Sequence, residues 1–294
     1  MKRLITTTLT VIILLGLVAP AMAKDPVIFS VPPWPGVRVK SEVATQILET
    51  IGYQVEHKEL SPPITYTSMP NGDVDVCLAS WMPQQKPMLQ PKLDDGTIKV
   101  AAKNLDEAAI SLCVPDYVYE KGITKISDLE NNADKFKNII YNIEVGTGMQ
   151  QSLAEMIEKD VAGLGDWKQM NSATPLMLSS VKGMAQDDDW VVFGCWKPHW
   201  MTVELDMRFL EGDSPGSEIL VSDSEVLTTV RQGFKEEYPN VYKFLEQFKV
   251  TSDMQSNWIH QYSYQKKKPE NVSRKWISEN LDAVAEWLKG IETV

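Results

Sequence analysis

The chain has 294 residues, 43% hydrophobic and 9% aromatic, enough for one large or two medium globular domains with a substantial core. A formal net charge of −11 is opposite to the basic stripes of nucleic-acid binders, so no nucleic-acid partner is expected. Three cysteines are too few for a disulfide-built scaffold.

Residues 1–23 read as a cleaved leader. Lys2 and Arg3 form its positive start, Leu4 to Val18 its apolar stretch, and Ala21-Met22-Ala23 a small-x-small cleavage site. The apolar stretch is short for a membrane span, which disfavours the alternative of an uncleaved anchor. Losing Lys2 and Arg3 takes the charge from −11 to −13, and the mature chain, starting near Lys24, is expected to be a soluble periplasmic protein.

Val27 to Val31 reads as a short strand. Arg38 to Ile51 reads as a helix with Val39, Val43, Ile47 and Ile51 on one face, stopped by Gly52. Tyr53 to Leu60 alternates as a strand, residues 61–72 form a proline-rich loop, and Val74 to Ser80 is a strand ending at Trp81. Residues 82–105 are polar and turn-rich. Ala108 to Val114 is again a strand, Thr124 to Leu129 a short capped helix, and Lys137 to Ile143 a strand. Gly146-Thr147-Gly148 opens an amphipathic helix from Met149 to Lys159, and Trp167 to Met170 leads on to Thr174–Lys182, extended and then helical. Trp190 to Gly194 is a buried strand, and Leu205–Leu210 and Glu218–Val221 are short extended pieces. The remainder reads as helical: Glu225–Glu237, Val241–Phe248, Ser252–Tyr264 and Asn271–Gly290.

This order predicts an α/β protein of two lobes, each a mainly parallel sheet flanked by helices, with a ligand cleft between them. Residues 24–112 and 215–294 make lobe 1. Residues 113–214 are inserted as lobe 2, with two crossing segments acting as a hinge. Cys77, Cys113 and Cys195 lie in apolar strand-like runs, so buried free thiols are expected; one disulfide, in any of three pairings, is the alternative.

Two strands close alike, Asp73 to Trp81-Met-Pro83 and Asp189 to Trp196-Lys-Pro198, and a third tryptophan, Trp34, sits between prolines in a loop. Tryptophan faces that converge form a cage for a quaternary ammonium, which cannot donate hydrogen bonds and is held by ring quadrupoles. Trp190, Trp258, Trp276 and Trp287 are assigned to packing, while Trp167 and Trp200 stay unassigned. Gly146 and Thr147 precede a helix whose free amides suit an anion. His199 follows the second motif and is a candidate donor to an anionic group. Arg38 is expected to pair on the first helix, and Asp187 to Asp189 to form a solvated turn. No nucleophile with its base and orienting group is evident, and neither a His-x-x-x-His nor a Cys-x-x-Cys pattern occurs. No enzymatic activity, metal or cofactor is therefore expected.

These motifs, Val76 to Pro83, Gly194 to Trp200 and the Gly146 turn, resemble the substrate-binding proteins of ABC importers for glycine betaine, proline betaine, carnitine and choline, over nearly the whole mature chain. The resemblance implies two lobes that close over the ligand, with Trp34, Trp81 and Trp196 as cage walls. It also implies Gly146, Thr147 and His199 at a carboxylate. The chain departs from some members at Val145, where they place another tryptophan, and at Gln84 and Gln85, where they place a histidine. Near Ile110, choline-type members supply a tyrosine. The expected function is capture of a quaternary-ammonium solute, glycine betaine first, by a monomer that delivers it to a membrane permease. Choline, carnitine or another small cation is the nearest rival. An exported enzyme on a similar fold and a sensory or adhesion module are more distant ones.

Overall fold

In the computed structural model, which describes residues 25–293, the chain begins with β1 (Val27–Ser30) and then α1 (Pro35–Thr50). The expected leader lies outside the described residues. Pro35 occupies the first helical position, where its missing N–H costs nothing, and Val39, Val43 and Ile47 face the core. β2 (Val55–Lys58) follows Gly52, whose φ of 97° turns the chain off the helix. Residues 61–72, expected as a loop, fold as α2 (Pro62–Ser68) and a 3-10 turn, Met69–Asn71. Their prolines sit in first turns, where they start helices. β3 (Val76–Met82) is next. The expected turn-rich stretch 82–105 holds α3 (Lys86–Asp94) and the first half of a long strand, β4 (Ile98–Pro115).

The middle of the chain carries α4 (Asp116–Tyr119), a 3-10 run (Ile126–Phe136), β5 (Ile139–Asn142), α5 (Gly148–Glu158) and β6 (Lys168–Asn171). Then come α6 (Thr174–Gln186), helical from its start, β7 (Val192–Lys197), α7 (Met201–Glu204) and β8 (Met207–Phe209). Glu218–Val221, expected as extended, is largely a 3-10 turn at Ser217–Ile219. The largest correction comes next, because most of the expected helix Glu225–Glu237 is a strand, β9 (Ser222–Arg231). Its run Val226, Thr228, Thr229 and Val230 is β-branched and buried, which suits a sheet interior better than a helix. The tail is helical: α8 (Phe234–Glu237), α9 (Pro239–Gln247), α10 (Ser252–Ile259), a π-turn (His260–Tyr264), α11 (Pro269–Glu279) and α12 (Leu281–Trp287).

The nine strands form one hydrogen-bonded sheet in the order β2-β1-β3-β9-β4-β7-β5-β6, with β8 paired to β4. Two groups are parallel, β2-β1-β3 and β7-β5-β6, while β4 and β9 run antiparallel to their neighbours. One hydrophobic core draws on residues 27–98 and 230–287, and a second on residues 110–220 with Ile259. β4 and β9 pass between them. Where they cross, Leu105, Ala108 and Val226 make a small cluster of their own with Trp81, and the β4 register slips on both sides of Leu105. Arg231, at the end of β9, clamps Asp75 at 2.6 Å and Glu237 at 2.6 Å, and Asp75 in turn accepts the Ile28 N–H at 2.7 Å.

The cysteine expectation fails for two of three. Cys113 and Cys195 form a disulfide between β4 and β7 with their Cα atoms 5.8 Å apart, and only Cys77 is a buried free thiol. The antiparallel pairing of β4 with β7, 82 residues apart in sequence, makes them diagonal neighbours, which no local pattern displays.

Candidate functional site

A cleft is lined by residues of both cores. Trp34 stands at the N-cap of α1, and its indole Nε1 is buried without a partner. Trp81 is the penultimate residue of β3, opposite Val226 of β9. Trp196 lies on β7 opposite Ile110 of β4, because β7 continues to Lys197 and does not stop at Gly194 as expected. Both Trp-x-Pro motifs hold a cis peptide, Met82–Pro83 and Lys197–Pro198. Each tryptophan is only half-buried, and all three line the cleft together with Ile110 and Ile143.

His199 is fully buried at the same cleft, edge-on to Trp196 with ring centroids 5.0 Å apart. The backbone N–H of Met201 donates to its Nδ1 at 3.2 Å. That nitrogen is therefore the acceptor, and the ring proton sits on Nε2, which has no partner. Burial pulls the imidazole down to about 3, so at ordinary pH it is a neutral donor. Trp200 backs it on the far side, 5.4 Å between centroids, and donates from Nε1 to Ser263 Oγ at 3.1 Å. The unassigned Trp200 thus braces His199 and does not line the cleft.

The glycine turn divides. Thr147 caps α5, its hydroxyl accepting the Gln150 N–H at 3.2 Å, and lines the cleft with Gly148 and Met149. Gly148 must lack a side chain, because a Cβ there would lie 2.7 Å from the Gln84 carbonyl oxygen. Gly146, expected at the carboxylate, stands apart from these residues. Its N–H donates to Gln150 Oε1 at 3.0 Å, and it is absent from the lining. Val145 is exposed and also outside the lining. Gln84 and Gln85 do face the cleft, and Gln84 donates to Ser222 Oγ at 2.7 Å. Arg38 pairs with Glu59, and Asp187 to Asp189 are exposed.

Three lining residues had no signal in the sequence. Gln255 and Ile259 come from α10, brought over the Trp34 loop because α10 packs against α1. Lys40 is the third, fully buried, donating from Nζ to Asn104 Oδ1 at 2.8 Å. Asn104 in turn donates to Leu78 O and to Thr228 Oγ1, so one network joins α1 to β3, β4 and β9. Burial lowers the Lys40 ammonium from 10.5 to about 7. Between those values the unfolded chain holds a proton that the folded chain lacks, so folding stability rises with pH there. Urea unfolding from pH 7 to 9 is expected to show native stability gaining about 1.4 kcal/mol per pH unit relative to Lys40→Met. Parallel pH profiles for the two proteins would contradict a deprotonated Lys40.

Of the remaining tryptophans, Trp167 is unassigned from the sequence and the other four are assigned to packing. Trp258, Trp276 and Trp287 form an aromatic series in the first core, and Trp167 packs on Phe136. Trp190 is partly exposed, with the Lys135 ammonium 4.2 Å above its ring.

Comparison with known proteins places this geometry. A choline-binding protein of an ABC transporter, solved with choline, is 30% identical and superposes with a TM-score of 0.87 over 91% of this chain and 93% of its own. Lactococcal OpuAC, closed around glycine betaine, is 26% identical with a TM-score of 0.80 over 90% of this chain and 99% of its own. The glycine betaine/carnitine transport binding protein GbuC of Listeria monocytogenes is 30% identical over 155 residues, about half the length of each protein. The two-lobed α/β architecture is common to these solved structures. Residues 25–279 match the family model, and the chain belongs to the OpuAC family, the substrate-binding domains of ABC-type glycine betaine transport systems.

Proposed function

We propose that the protein captures a small betaine, with glycine betaine as the reference ligand, and presents it to the permease of an ABC importer. One observation carries the reading: three tryptophan rings meet in one cleft with the unpartnered Nε2–H of His199. The rings suit a trimethylammonium head, and the neutral imidazole donor suits a carboxylate. Trp34 Nε1–H and the first amides of α5 are further donors for that end. Lys40, largely uncharged above its lowered value, places little positive charge against a cationic head.

Binding in this reading is a closure of two lobes about β4 and β9. In this reading the lobes divide near Leu105–Ala108 and Ser222–Val226, which extends the inserted lobe at both ends beyond residues 113–214. The register slips there give β4 places to bend, and ligand contacts from both sides stabilise the closed state. The protein would act as a periplasmic monomer. A disulfide fits an oxidising compartment, and among the described residues no helix is long and apolar enough to cross a membrane.

The test is a titration of intrinsic tryptophan fluorescence with glycine betaine, choline and proline. Saturable binding of glycine betaine with no response to proline supports the cage. His199→Ala is expected to weaken glycine betaine about 10- to 100-fold, the worth of a hydrogen bond to a charged group, and to leave choline nearly unchanged. Because His199 is neutral, that gap holds from pH 5 to pH 8. Choline is the second reading, supported by the likeness to a choline-binding protein, and an equal loss for both ligands would favour it.

A further inference from the structure

The cleft contains an acceptor that neither the cage nor the carboxylate end uses. Gln255, on α10, is 3% exposed, and its Oε1 has no hydrogen-bond partner. Of the buried polar atoms in the lining that lack partners, Trp34 Nε1 and His199 Nε2 are donors and Gln255 Oε1 is an acceptor. The Nε2 end of the same amide lies against Gly36, where an added Cβ would come within 2.8 Å of it, so the missing side chain at 36 makes room for the amide.

A carboxylate satisfies the two donors and repels the acceptor. A trimethylammonium head has no polar hydrogen to offer it. A solute that displaces water from Gln255 Oε1 without supplying a hydrogen leaves a buried carbonyl oxygen unpaired, a cost set against its binding. Glycine betaine has no such hydrogen. A hydroxyl between the ammonium and the carboxylate does.

We propose that Gln255 is a specificity-determining residue that accepts a hydrogen bond from a hydroxyl of the bound solute, so the cleft prefers a hydroxylated betaine. This rests on the betaine reading above and sharpens it. Sites that hydrogen-bond a ligand hydroxyl discriminate against analogues lacking it, because the protein group is then stranded.

L-Carnitine and γ-butyrobetaine, which differ by one hydroxyl, are the probes, titrated beside glycine betaine by fluorescence or calorimetry. The native protein is expected to bind carnitine about tenfold more tightly than γ-butyrobetaine. Gln255→Met, similar in length and without an amide, is expected to bring that ratio to about one, chiefly by tightening γ-butyrobetaine, which no longer strands a carbonyl oxygen. Gln255→Glu, which keeps an acceptor, retains the preference. A native ratio near one, a ratio unchanged in Gln255→Met, or an equal loss for both compounds overturns the proposal. Binding of glycine betaine with neither longer compound also overturns it and leaves the betaine reading standing. Failure of every trimethylammonium compound to bind removes the betaine reading itself.

Discussion

Trp196→Ala and Trp81→Ala are each expected to weaken glycine betaine binding by about 10- to 30-fold. A ring facing a desolvated cation contributes roughly 0.5 to 2 kcal/mol, and lost apolar contact adds to it. The two variants should differ in a second respect. Trp196 packs edge-on against the His199 ring, 5.0 Å between centroids, so its loss also frees the imidazole proposed to meet the carboxylate. Trp81 packs on Leu105, Ala108 and Val226 at the crossing of β4 and β9, so its removal also lowers folding stability, by about 2 to 4 kcal/mol for a half-buried ring. Titration of folded protein, with urea unfolding of each variant, separates the two effects. Native affinity in both variants would end the cage assignment.

The second large effect concerns the Cys113–Cys195 disulfide. Its removal by Cys113→Ser with Cys195→Ser should cost about 4 to 5 kcal/mol, because it closes a loop of 82 residues and so restricts the unfolded chain. Urea midpoints of native and doubly substituted protein measure this, and a reducing agent added to the native protein should reproduce it. A loss below about 1 kcal/mol would mean that the link adds nothing to an already fixed β4–β7 pairing. The bond immediately precedes Trp196, so its loss also loosens the strand that presents that ring. A modest fall in glycine betaine affinity, about threefold, is expected alongside.

What the sequence made legible was local. The β1–α1 unit followed from apolar spacing and the stop at Gly52, and Trp81 and Trp196 were visible as strand-end tryptophans because proline follows each by two residues. His199 was legible through its neighbours. β9 was not, because Glu225 among buried β-branched residues and the acidic run Glu236-Glu237 imitate an amphipathic helix. Only the pairing of β9 with both β3 and β4 makes a strand the better solution. The first half of β4 was hidden for a related reason. Lys99, Lys103 and Asn104 look like loop residues, yet Asn104 is buried and bonded to Lys40. Gln255 carried no signal, since its role depends on a helix from the far end of the chain meeting the Trp34 loop. The partner of the Gly146 amide was equally hidden, because a reading of the turn stops at backbone donors. Four residues on, Gln150 supplies the side chain that occupies it.

The place of β9 in the sheet bears on when the molecule can fold at all. It separates β3 from β4, and the first core needs residues 230–287 beside residues 27–98. Until Arg231 has been synthesised, β3 has no partner on that side, and the apolar face of α1 lacks α10 and α11 to pack against. Contacts so distant in sequence make folding slow and defer it to the last stage of chain growth. A nascent chain built this way stays unfolded until late in its synthesis and carries an open strand edge that invites aggregation or a chaperone. The strand that couples the two lobes in the finished protein is thus also a timer on its assembly.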